Sequence, residues 1–95
     1  MKKEQIRNIL IKSGDAVVNY RSVNSKKLKY VVCTVDFDNP HIQTKPRPFE
    51  QTDRILVFCW DSDTFKQLNA DLVTSIEPLN KLLREARVSQ SFTIK

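Results

Sequence analysis

The stretch Ile55-Leu56-Val57-Phe58-Cys59-Trp60, followed by Asp61-Ser62-Asp63-Thr64, decides the fold. Six consecutive apolar residues bounded by turn-forming Asp and Ser predict a strongly apolar strand and a tight turn. Phe65-Lys66-Gln67-Leu68 then begins the second arm of a hairpin. Asn69-Ala70-Asp71 suits a single helical turn, and residues 73–77 read as a last short strand, with Val73, Ser75 and Glu77 opposite Thr74 and Ile76 in parity. The same six-residue run is the longest apolar stretch in the chain, far below the roughly 18 residues a membrane helix requires.

Upstream, Ile6, Ile9, Leu10 and Ser13 recur at helical spacing, and Gly14 follows where a left-handed cap would fall, which predicts a helix over 3–13. Strand formers occupy 15–23, Asn24-Ser25-Lys26-Lys27 is a polar turn, and 28–37 resumes a strand, giving a first hairpin. The second strand of that hairpin carries apolar residues at both parities, as expected in a small closed barrel. Residues 38–53 hold Pro40, Pro46 and Pro48 and read as a long loop. Pro78 fits the first turn of a helix over 78–88, whose stripe is Leu79, Leu82, Leu83 and Ala86, and 89–95 reads as a flexible tail. The expected fold is therefore one α+β domain, mainly β: a five-stranded SH3/Sm-like barrel over 15–77 with an N-terminal and a C-terminal helix.

Residues 65–79, Phe-Lys-Gln-Leu-Asn-Ala-Asp-Leu-Val-Thr-Ser-Ile-Glu-Pro-Leu, resemble the F-x-x-L-x-x-D-x-I-x-S-V-x-P-L ending of WYL domains, and Val17-Val18-Asn19-Tyr20-Arg21 resembles their opening hairpin. The resemblance covers about residues 16–79. It implies an SH3-type or Sm-like module of the regulatory kind that senses ligands or nucleic acid. The Trp-Tyr-Leu tripeptide that names the family and its ligand-site arginines have no counterpart here.

Composition narrows the function. With 95 residues, 40% apolar, the chain builds one small core. A single glycine excludes a Walker loop or a dinucleotide fingerprint, both of which need several. Cys33 and Cys59 lie inside apolar runs with no CxxC spacing, so buried free thiols are expected, and two cysteines with one histidine fall short of a zinc site. No nucleophile with an adjacent base can be assembled, so neither an enzyme nor a cofactor is expected. Asp36/Asp38 and Asp61/Asp63 have D-x-D spacing, which turn formation explains better than a cation site. The charged N-terminus lacks an apolar signal core, and the expected compartment is cytoplasmic.

The net charge of +5 is unevenly spread. Residues 1–30 carry +6, residues 31–63 carry −3, and residues 64–95 carry +2. Basic side chains beside aromatic residues on strands suit phosphate neutralisation and base stacking. The candidate nucleic-acid contacts are Lys12, Tyr20, Arg21, Lys26, Lys27, Lys29 and Tyr30, with His41, Lys45 and Arg47 of the long loop as secondary contacts. The leading expectation is a non-enzymatic regulatory module binding DNA or RNA, of the kind phages and bacteria encode as short accessory genes. The competing expectation is an inhibitor or adaptor that docks on a partner protein through its two-signed surface and C-terminal helix, the latter also offering a route to homo-oligomers.

Overall fold

A computed structural model describes residues 1–80. Helix α1 (Lys3–Ser13) is followed by strands β1 (Asp15–Arg21) and β2 (Leu28–Thr34), the short helix α2 (Pro40–Gln43), and strands β3 (Arg54–Cys59) and β4 (Thr64–Asn69). A 3-10 turn (Ala70–Leu72) leads into β5 (Val73–Pro78). All pairings are antiparallel, in the order β4-β3-β2-β1-β5.

Gly14 ends α1 at φ 74°, a conformation open to glycine, and its N–H returns to the Leu10 carbonyl at 3.0 Å. This turn sends the chain from the helix straight into β1. Ile6 and Leu10 are fully buried on one side of α1, against Ala16 and Val18 of β1, Val31 and Cys33 of β2, and Ile55, Val57 and Cys59 of β3. Leu68, Ala70 and Val73 complete this core from β4, the 3-10 turn and β5. The two outermost strands are thus consecutive in the chain, so the sheet must curl toward itself.

It does not close. The expected SH3/Sm-like barrel is corrected to an open five-stranded sheet, and two features account for the opening. Asn69 caps the 3-10 turn by accepting from the Asp71 N–H at 3.0 Å, so the chain changes direction between β4 and β5, which have no ladder between them. In addition, β2 and β3 pair only at Cys33↔Cys59 and Thr34↔Phe58. Helix α1, in contact with β1, β3, β5 and the 3-10 turn, covers the core where further strand pairing would otherwise do so.

Burial on both faces belongs to β3, where Ile55 to Cys59 are all buried, and not to β2, whose first three residues are exposed. The outer face of β3 is covered by the 38–53 segment, expected as a plain loop but containing α2. Asn39 caps α2 by accepting from the His41 N–H, and Ile42 is buried beneath it. Phe58 lies at the centre of an aromatic cluster there, edge-on to Phe65 at 5.3 Å and to Trp60 at 5.1 Å, with His41 stacked on Trp60 at 6.1 Å.

Cys33 and Cys59 are free and buried on the core face, and burial pushes their thiols up to about 12 and about 11. Pro78 is the last residue of β5. Leu79 and Asn80 have helical backbone, but the rest of the 78–88 helix and the 89–95 tail lie outside the described residues. Among the described residues no helix is long and apolar enough to cross a membrane.

A basic groove as candidate functional site

The register of the first hairpin sorts the candidate residues. Val18 pairs with Val31, Asn19 with Tyr30, Tyr20 with Lys29 and Arg21 with Leu28. Opposite residues share a face, so Tyr20 and Lys29 lie on the concave side with Val18 and Val31, whereas Tyr30 lies on the convex side with Asn19. The two tyrosines therefore do not form one platform: Tyr20 is half-buried against the core, and Tyr30 is 65% exposed on the other face. Lys26 and Lys27 sit in the hairpin turn, where Lys26 has φ 57° and its carbonyl accepts from Arg21 Nη1 at 3.1 Å. Lys12 lies in the last turn of α1 beside the start of β1 and thus at the far end of that strand from Arg21.

Other basic residues of the N-terminal helix are engaged inside the protein. Lys3 Nζ lies 2.9 Å from Glu50 Oε1, and Arg7 pairs with the same oxygen. The second carboxylate oxygen accepts from the Leu56 N–H at 2.9 Å, on the side of β3 that faces β2 but beyond the end of that strand. Burial acts to raise the Glu50 pKa, but the Leu56 N–H, Lys3 and Arg7 outweigh it and hold the carboxyl at about 2, against an ordinary 4.5. Because the folded value is the lower one, this stabilisation is present in full above about pH 4.5 and is lost as the pH falls toward 2. With 27% of its side chain still exposed, screening reduces the contribution. Glu50→Gln is expected to cost about 1–2 kcal/mol at pH 7, and urea titrations at pH 7 and pH 3 should show the gap between variant and wild type narrowing at the lower pH.

The secondary loop contacts are likewise turned inward. His41 Nε2 lies 2.6 Å from one carboxylate oxygen of Asp63 and Lys45 Nζ 2.8 Å from the other, and these two partners, Lys45 foremost, hold the Asp63 carboxyl below its ordinary range. Arg47 lies over the Phe37 ring, 4.7 Å from its centroid. Asp36 accepts from the Asp38 N–H in a turn, and no group of three potential metal ligands occurs among the described residues. Trp60 is half-buried, with its indole N–H on Asp15 Oδ1 at 2.8 Å.

One set of cations lines a common groove. A groove of about 270 Å³ opens between the first hairpin and β4, lined by Tyr20, Arg21 and Lys29 together with Arg54 and Lys66, and among the described residues no Asp or Glu lines it. Lys66 reaches the concave side because it pairs with Val57, a core-face residue. None of these four cations forms an ion pair among the described residues. The structure thus gathers three of the seven primary candidates, Tyr20, Arg21 and Lys29, and adds Arg54 and Lys66, which the sequence reading did not single out. One signal for Lys66 was available: it shares strand parity with the buried Leu68, which places a lysine on the apolar face of β4.

No family model matches the sequence, and no curated protein or solved structure matches the chain.

Proposed function

We propose that this protein is a small non-enzymatic module that binds nucleic acid through the groove between the first hairpin and β4. The observation that carries this reading is one groove in which Lys29 and Lys66 flank Tyr20 on the concave side while Arg21 and Arg54, of the opposite strand parity, line its edge, with no acid in the lining among the described residues. Phosphates are held by cations fixed at one surface, and the Tyr20 ring offers a base a face to stack on. The groove has room for a nucleotide-sized segment, which favours a single strand over a duplex, and Lys26 and Lys27 in the hairpin turn extend the positive surface. The order of helix, five strands and a 3-10 turn before the last strand supports a distant likeness to WYL and Sm-like regulatory modules. A protein-docking role is favoured by a separate observation, the unpaired edge of β2 at residues 28–31.

Fluorescence anisotropy of a labelled twelve-nucleotide single strand tests the reading. With three or four phosphates neutralised, affinity is expected to fall about twenty- to fiftyfold between 50 and 200 mM salt. Binding that is absent at tens of micromolar protein, or indifferent to salt, contradicts it.

A further inference from the structure

Strand β2 is paired along its whole length to β1 but only at one end to β3. The direction of its backbone groups follows from two bonds. The Ser22 N–H donates to the Lys27 carbonyl at 2.9 Å on the β1 side, and the Val32 carbonyl accepts from the Trp60 N–H at 2.8 Å on the β3 side. By alternation, the N–H and C=O groups of Leu28 and Tyr30 point away from β1, on the side Val32 offers to Trp60. There β3 has already passed into the 61–63 turn, and among the described residues nothing bonds to them. Leu28 and Tyr30 are 59% and 65% exposed, so the edge is open to an incoming chain.

We propose that this edge of β2 docks an extended peptide segment in which acidic and apolar residues alternate. The main chain of such a segment would pair with Leu28 and Tyr30, extending the sheet by one strand. Its side-chain chemistry follows from the faces of β2. Lys29 lies on the concave side, with Lys27 preceding it at the same parity, whereas Leu28 and Tyr30 lie on the convex side. Residues across a ladder share a face, so the docked strand meets cations on one side and apolar surface on the other. The charge environment is one-signed: from Ala16 to Val35 the chain carries Arg21, Lys26, Lys27 and Lys29 and no acid. A second copy of this chain is the poorer occupant, because symmetric pairing about Lys29 would set lysines of the two copies against one another. The edge shares Lys29 with the groove, but Arg54 and Lys66 on β3 and β4 take no part in it, so the two sites are separable by substitution.

The probe is a fluorescein-labelled ten-residue peptide alternating glutamate with valine, titrated with the full chain at 50 mM salt. Saturable binding is expected, and lysine in place of glutamate should abolish it. Tyr30→Pro removes an N–H that points away from β1, so the β1 ladder is retained while the edge loses a donor, and peptide affinity should drop at least about tenfold. Methylating two consecutive central backbone nitrogens of the peptide should have the same effect on the unaltered protein, which decides the matter even if Tyr30→Pro fails to fold. Oligonucleotide binding by a folded Tyr30→Pro variant should be unchanged, and Arg54→Glu/Lys66→Glu should spare peptide binding, so failure at the edge and failure at the groove are distinguishable. The proposal is overturned if the glutamate peptide does not bind, if the methylated peptide binds as well as its parent, or if the edge instead supports a dimer that Tyr30→Pro dissolves.

Discussion

Phe58→Ala is expected to lower stability by about 3–5 kcal/mol, a large part of the roughly 5–15 kcal/mol that separates folded from unfolded states in domains of this kind. Phe58 is completely buried on the outer face of β3, where it meets Phe65 and Trp60 edge-on and His41 at 6.1 Å. The 38–53 segment is seated over this face, with Ile42 buried there as well. Truncation therefore leaves a cavity that the short helix α2 is poorly placed to fill. Trp60 is the single tryptophan of the chain and lies against Phe58, so its emission during urea unfolding reports the loss directly. If alanine prevents folding altogether, Phe58→Leu should give a graded loss of about 1–2 kcal/mol. A cost below about 1 kcal/mol for alanine would mean that the aromatic cluster does not hold the segment in place.

Arg54→Glu combined with Lys66→Glu is expected to weaken single-stranded oligonucleotide binding about a hundredfold at 50 mM salt, with the dependence on log salt shallower by about 1–2. Each reversal removes a phosphate partner and places an anion in a groove whose described lining has none. Neither side chain belongs to the buried core, so a thermal melt should shift little. Lys12→Glu is the matched control: it changes net charge by the same amount per substitution, at the far end of β1 from the groove, and should cost less than about threefold. Equal losses from Lys12→Glu and from either groove substitution would indicate a general response to net charge and would sink the assignment of the groove.

Much of the local architecture was legible because it depends on near neighbours in the chain. The 3-4 spacing of Ile6, Ile9 and Leu10 with Gly14 behind it marks α1, and the apolar run 55–60 with its Asp-rich turn marks the β3–β4 hairpin. The openness of the sheet was not legible, because it depends on where β2 and β3 stop pairing, and the acceptor at Leu56, beyond the end of β2, is Glu50, in a segment read as a loop. The tyrosines show a subtler limit. In the observed register the partner of an even-numbered residue on β1 is odd-numbered on β2, so Tyr20 and Tyr30 must lie on opposite faces. A shift of one residue in the turn would have put them together, and composition does not fix that register. The groove was half legible: Tyr20, Arg21 and Lys29 come from one hairpin, but Arg54 and Lys66 arrive from strands far along the chain and meet them only through the curl of the sheet. His41, Lys45 and Arg47 looked available in sequence because their partners, Asp63 and Phe37, are brought to them by tertiary packing.

The most direct test of the account is a two-dimensional amide NMR titration of the protein with a twelve-nucleotide single strand at 50 mM salt. The expected result is a footprint of shifted resonances at Tyr20, Arg21, Lys29, Arg54 and Lys66, with Lys12 and the His41–Asp63 region unmoved. A footprint centred on α1 or on the 38–53 segment, or no shifts at saturating oligonucleotide, would contradict it.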